Sequence, residues 1–104
     1  MNANGIAAET KSGNAIDDFE VMTSKAYIES CCKELRQKNT RNTSYGFKHL
    51  AENWGASINK LLSKKVFAEY VSNGAFIKAA THLGFVIFPI ERSYNCHFKL
   101  SVKK

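Results

Sequence analysis

One pattern occurs twice in this chain and restricts its folds more than anything else in it. Phe47, Leu50, Ala51 and Trp54 stand at i, i+3, i+4 and i+7 behind Ser44 and ahead of Gly55; Phe76, Ala79, Ala80 and Leu83 repeat that spacing behind Ser72 and ahead of Gly84. An apolar stripe of this period lies along one face of a helix, a serine before it can cap the first turn, and a glycine after it can turn left-handed. Helices are therefore predicted over 45–54 and 73–83, both turned toward one core. After the second stripe the period changes. Phe85-Val-Ile-Phe-Pro-Ile90 reads as a strand, and Cys96, Phe98, Leu100 and Val102 alternate with His97, Lys99, Ser101 and Lys103 as another, with 91–95 as the hairpin turn. Pro89 has no N–H for a ladder, so the first of these strands is expected to leave that position facing outward or at an edge.

Two further helices are expected. Tyr27, Ile28, Cys31, Cys32 and Leu35 recur at helical spacing, with Ser24 as cap, and predict a helix ending near Gln37. Ile58, Leu61, Leu62 and Val66 predict a short one capped by Ser57, although Phe67, Tyr70 and Val71 also suit an extended segment. The expected fold class is α+β: a helical core of three to four helices followed by a C-terminal antiparallel β-hairpin. Residues 1–14 are rich in Asn, Gly, Ala, Thr and Ser without apolar periodicity, so residues 1–15 read as a flexible arm and 16–104 as a single domain. The same opening stretch has no apolar run of signal-peptide or membrane type, which predicts a cytoplasmic protein with no membrane partner. Three cysteines, Cys31, Cys32 and Cys96, are then expected as reduced thiols.

The order of these elements resembles the winged-helix arrangement, which implies a helix in a DNA groove and a hairpin against the backbone. In the usual motif about three or four residues join the two key helices; here 55–71 separate them. A second resemblance is carried by Thr43-Ser-Tyr-Gly-Phe-Lys-His49, by Tyr70-Val-Ser-Asn-Gly-Ala-Phe-Ile-Lys-Ala-Ala80 with Gly84-Phe85, and by Asn95-Cys-His-Phe98. Over residues 43–98 the chain resembles small uncharacterised accessory proteins of phages and plasmids. That resemblance implies mobile-element biology and carries no catalytic residue.

The formal net charge of +6 is unevenly spread. Residues 1–32 hold Lys11 and Lys25 against five acids, a deficit of three; residues 33–104 hold thirteen Lys and Arg against four Glu, a surplus of nine. A surplus of that size on the folded part predicts an anionic partner, of which nucleic acid is the commonest. Lys33, Arg36, Lys38, Arg41 and Lys48 cluster across a helix end, its loop and the next helix start, opposed by Glu34 alone, and Lys64, Lys65 and Lys99 add to them. The helix starts at Ser44, Tyr45 and Gly46 and at Asn73 and Gly74 offer backbone donors to a phosphate. Tyr45 and Tyr94, at an element start and in a turn, are placed to stack on unpaired bases, whereas Trp54 belongs to a core stripe.

Chemistry finds less support. His49, His82, His97 and the cysteines lack metal-site spacing, so no metal or cofactor is expected. Cys96 and His97 project to opposite faces of a strand and cannot pair as nucleophile and base. No carboxylate pair or phosphate loop occurs at diagnostic spacing, and the chain is read as no enzyme. The expected function is a small basic DNA- or RNA-binding accessory or regulatory protein. In it Lys38, Arg41, Lys48, Lys64, Lys65 and Lys99 contact phosphate, and Tyr45 or Tyr94 stacks. The alternative is an inhibitor or adaptor that docks on a host defence or nucleic-acid-processing enzyme.

Overall fold

The computed structural model describes residues 2–5 and 15–103. Among them the order is α1 (Asp18–Cys31), β1 (Cys32–Asn39), α2 (Ser44–Leu62), α3 (Asn73–His82), β2 (Ile87–Pro89) and β3 (Cys96–Val102). The fold is α+β, with three helices and one three-stranded antiparallel sheet in the order β1-β3-β2. No helix of the described residues is long and apolar enough to cross a membrane.

The second stripe folds as read. Ser72 caps α3, its Oγ accepting from the Ala75 N–H at 3.1 Å, and Gly84 turns left-handed at φ 92° just past the helix. The hairpin also forms. Cys96, Phe98 and Leu100 face the core, β2 is an edge strand, and Pro89 stands at its end.

Three expectations are corrected. The first helix does not reach Gln37: α1 is capped by Asp17, whose carboxylate accepts from Phe19 N–H at 2.8 Å, and it stops at Cys31. Ser24 is no cap; it lies buried inside α1 with its hydroxyl donating to the Glu20 carbonyl. The following residues are strand β1, paired to β3 from Cys32↔Val102 to Asn39↔Phe98. Lys, Glu, Leu, Arg and Gln favour helix there, but a partner strand with open backbone groups overrides that weak preference. The pairing is irregular: from Glu34 to Asn39 β1 advances five positions while β3 advances two, and the Asn39 amide then donates to the Leu100 carbonyl at 2.9 Å.

The second and third corrections concern α2. It begins one residue beyond Thr43, the actual cap, and Ser44 instead accepts from the Cys96 N–H at 3.1 Å, tying α2 to β3. Gly55 does not end the helix, and no separate helix follows; α2 runs on to Leu62 and closes at Ser63 in the left-handed region at φ 54°. Gly55 serves close approach instead. A Cβ there would stand 2.6 Å from the Ala68 carbonyl oxygen, where the 63–72 connection crosses the helix.

At the centre, Phe47 of α2 stacks on Phe76 of α3 at 5.6 Å between centroids, and both meet Phe98 of β3 edge-on at 5.9 and 5.6 Å. All three rings are fully buried, each contributing about 1.5 to 3 kcal/mol by its removal from water. Tyr27 brings α1 to this cluster and to Trp54, which lies partly buried against the core as its stripe implies. Residues 2–5 lie on the start of α3, where Gly74 N–H donates to the Ala3 carbonyl at 3.0 Å. The remainder of the expected arm, 6–14, lies outside the described residues.

Candidate nucleic-acid interface

The expected site residues fall into three places. The first is the outer face of the sheet. Alternation along β3 buries Cys96, Phe98 and Leu100 and leaves His97, Lys99 and Ser101 half-exposed on the other side, where Phe88 is paired with His97 and Lys33 with Ser101. Lys38 from β1 and Lys99 from β3 both bring their ammonium groups over the Phe88 ring of β2, at 5.7 and 5.8 Å from its centroid. Neither forms an ion pair among the described residues. His97 fixes the neighbouring loop, its Nδ1 lying 3.2 Å from the Asn42 carbonyl oxygen, so that Nδ1 carries the proton. Beside this face a groove of about 610 Å³ runs along 35–42, with Arg36, Lys38 and Arg41 on its wall. The Asn39 side chain shapes the loop by accepting from the Arg41 N–H at 2.9 Å.

The second place is a concavity of about 650 Å³ between the first turn of α2, the 63–72 connection, the start of α3, the hairpin turn and Ala3 and Asn4 of the N-terminal segment. Tyr45, Lys48 and Tyr94 meet here, together with Tyr70, Asn73 and Arg92. Lys48 is not the phosphate contact that its place in the basic cluster suggested. It is 6% exposed, and its Nζ lies 3.1 Å from Glu52 Oε2. The same ammonium stands 5.3 Å from the Tyr45 ring centroid and 4.8 Å from that of Tyr70.

Glu52 anchors this arrangement. Its Oε2 also accepts from Val71 N–H at 2.9 Å, and its Oε1 lies 2.8 Å from His49 Nδ1. Burial alone would raise this carboxyl, but the hydrogen bonds from Val71, Lys48 and His49 outweigh it and hold the group below its ordinary value of 4.5. Of the helix-start donors, Gly46 N–H is taken by Thr43 Oγ1 and Gly74 N–H by Ala3, so these are engaged within the chain.

The third place is the far end of α2. Lys64 and Lys65 are exposed just past Leu62, about 28 Å along the helix axis from its start. They join neither of the other groups.

Phe88, Tyr70 and Arg92 are the members that pattern reading leaves out, and Asn73 enters it only through its backbone. Phe88 stands in an apolar run and Tyr70 in a segment of uncertain period, so nothing local marks either as surface. Glu52 did leave a signal, the i, i+4 spacing with Lys48 that joins opposite charges on a helix.

The thiols are built into the core. Burial pushes Cys32 up to about 11 and Cys96 up to about 12, and it raises Tyr27, which lies against Cys32, well above the usual tyrosine value. No disulfide joins the three cysteines, and Cys31 is the least buried of them. In comparisons with family models, curated proteins and solved structures, no match to the chain is found.

Proposed function

We propose that the protein is a non-catalytic nucleic-acid-binding accessory protein that works in the cytoplasm and takes a strand along the outer face of its sheet. The convergence of Lys38 and Lys99 on Phe88 carries this reading. Two like charges from different strands, held near one ring without a carboxylate, repel each other unless an anion lies between or above them, and a phosphate backbone supplies anions at regular spacing. Phe88 adds an aromatic surface at the same spot, and Arg36 and Arg41 extend the positive stripe along the adjoining groove.

The resemblance of the element order to the winged-helix arrangement favours contact through the hairpin. The helix that would enter a groove in that arrangement is α3, and Asn73, Gly74, Ala75, Phe76, Ile77, Ala79 and Ala80 of it are buried. Contact is therefore assigned to the sheet face and hairpin, with a single strand as the better fit than a duplex groove. The resemblance of residues 43–98 to phage and plasmid accessory proteins supports reading this binding as mobile-element biology.

The test is a salt-series titration of single-stranded DNA, duplex DNA and RNA against the protein and its Lys38→Ala/Lys99→Ala variant. The expected result is binding that weakens with salt, and a log–log slope about 1.5 smaller in magnitude for the variant, since each lost phosphate contact removes about 0.7 to 0.9. Absence of binding at low salt rejects the reading. A protein partner then takes its place, favoured by the exposure of Leu61 and Leu62 beside Lys64 and Lys65.

A further inference from the structure

We propose that the concavity between α2, α3 and the hairpin turn seats one unstacked nucleotide, its base against Tyr70 and Tyr45 and its phosphate on Arg92. The inference rests on the strand-binding reading above and adds a ligand site that the sheet face does not contain. Three observations meet there.

The first is a pair of exposed rings that are nevertheless held in place. Tyr45 is 51% and Tyr70 63% exposed, yet both lie over the same buried ammonium, and Lys48 is in turn held by Glu52. The cation occupies one face of each ring, so the exposure falls on the remainder. Exposed tyrosines ordinarily sample several rotamers; two held by one buried cation at the rim of the same concavity lose little freedom when a base arrives.

The second is an unfilled acceptor. Asn73 lines the concavity and is 7% exposed, with its Nδ2 set against Asn4 O, Tyr94 O and Asn95 Oδ1 at 3.0, 3.1 and 2.9 Å. Its Oδ1 is the one buried side-chain polar atom among the described residues with no hydrogen-bond partner. Buried acceptors are almost always satisfied, and this one lies just beneath the floor of the concavity, a polar group that nothing in the chain pairs.

The third is Arg92, an exposed side chain on the rim that makes no ion pair among the described residues. Its backbone sits in the left-handed region at φ 60°, a conformation that is costly for a side chain of this kind and collects at ligand sites. The volume agrees with the assignment: about 650 Å³ lies within the range of small-ligand sites and accommodates one nucleotide.

The experiment is an amide NMR titration with adenosine 5′-monophosphate and, separately, with a single-stranded twelve-mer of deoxyadenosine. Wild type, Tyr70→Ala, Tyr70→Phe and Lys38→Ala/Lys99→Ala are compared. With the monophosphate, shifts are expected at Tyr70, Asn73 and Tyr94; Tyr70→Ala weakens its binding about tenfold, Tyr70→Phe retains it, and the double lysine variant leaves it unchanged. Such shifts without twelve-mer binding would uphold the nucleotide seat and reject the strand path. Twelve-mer binding that leaves these amides unmoved and is insensitive to Tyr70→Ala would overturn the seat while the strand path stands, and no shift with either probe overturns it as well.

Discussion

Glu52→Gln is expected to cost about 3 kcal/mol of folding stability, because it leaves the Lys48 ammonium buried with no opposing charge. Urea unfolding at neutral pH measures it. The double variant Glu52→Gln/Lys48→Met should recover more than half of the loss, since removing both charges leaves no uncompensated one. The pH dependence has a definite sign. The folded carboxyl sits below 4.5, so as pH falls the unfolded chain binds the proton first, and the contribution of Glu52 is whole above about pH 5 and drains away as pH drops through the folded value. The gap between wild type and Glu52→Gln should therefore narrow below that pH. A gap under about 1 kcal/mol at neutral pH would show that the Lys48–Glu52 pair is as weak as an exposed one. Tyr45 and Tyr70 would also lose their common anchor in this variant, so a nucleotide titration of it should weaken in parallel.

Asn59→Ala is the second large effect, at about 3 kcal/mol. Asn59 is 5% exposed and uses its whole amide: Nδ2 donates to the Phe67 carbonyl and to Glu69 Oε2, both at 2.8 Å, and Oδ1 accepts from Val66 and Phe67 N–H at 2.7 and 2.9 Å. Truncation leaves two backbone donors and one carbonyl short of partners, at about 1 kcal/mol or more each. The chain after α2 is otherwise held further on, where the N–H groups of Ala68, Val71 and Ser72 donate to Thr23 Oγ1, Glu52 Oε2 and Glu20 Oε1 at 2.8, 2.9 and 2.8 Å. Hydrogen exchange should therefore accelerate first at Val66 and Phe67, with α1 keeping its protection. Uniform acceleration across the chain would show that Asn59 supports the whole fold rather than this connection.

The parts of the fold that could be read were those whose signals are local. Ser72, the stripe from Phe76 to Leu83 and Gly84 belong to one helix and its two ends, and the alternation along β3 lies within one strand, so each needs only its own neighbours. β1 has no such signature. Its residues prefer helix, and what makes them a strand is Val102, Leu100 and Phe98 at the other end of the chain. Gly55 was legible as a glycine and misleading as a stop, because its purpose is the passage of Ala68 over the helix. The site behaves similarly. Lys38, Lys99, Tyr45 and Tyr94 could be named as residue types suited to a strand of nucleic acid, but their sorting into a sheet face and a separate concavity follows from tertiary pairing. Lys48 shows the cost of judging by charge alone: its position between Phe47 and Ala51, with Glu52 one turn on, turns it inward.

The raised Cys32 and Cys96 thiols have a practical meaning for how this molecule can be watched. A thiol reacts as its thiolate, and groups at about 11 and 12 are almost wholly protonated at neutral pH as well as shielded from reagent. Alkylation of the native protein is thereby confined to Cys31, and each later modification times an opening: Cys32 when β1 parts from β3, Cys96 when β3 parts from the helices that cover it. The chain thus contains two internal clocks, read from the order in which its own thiols react.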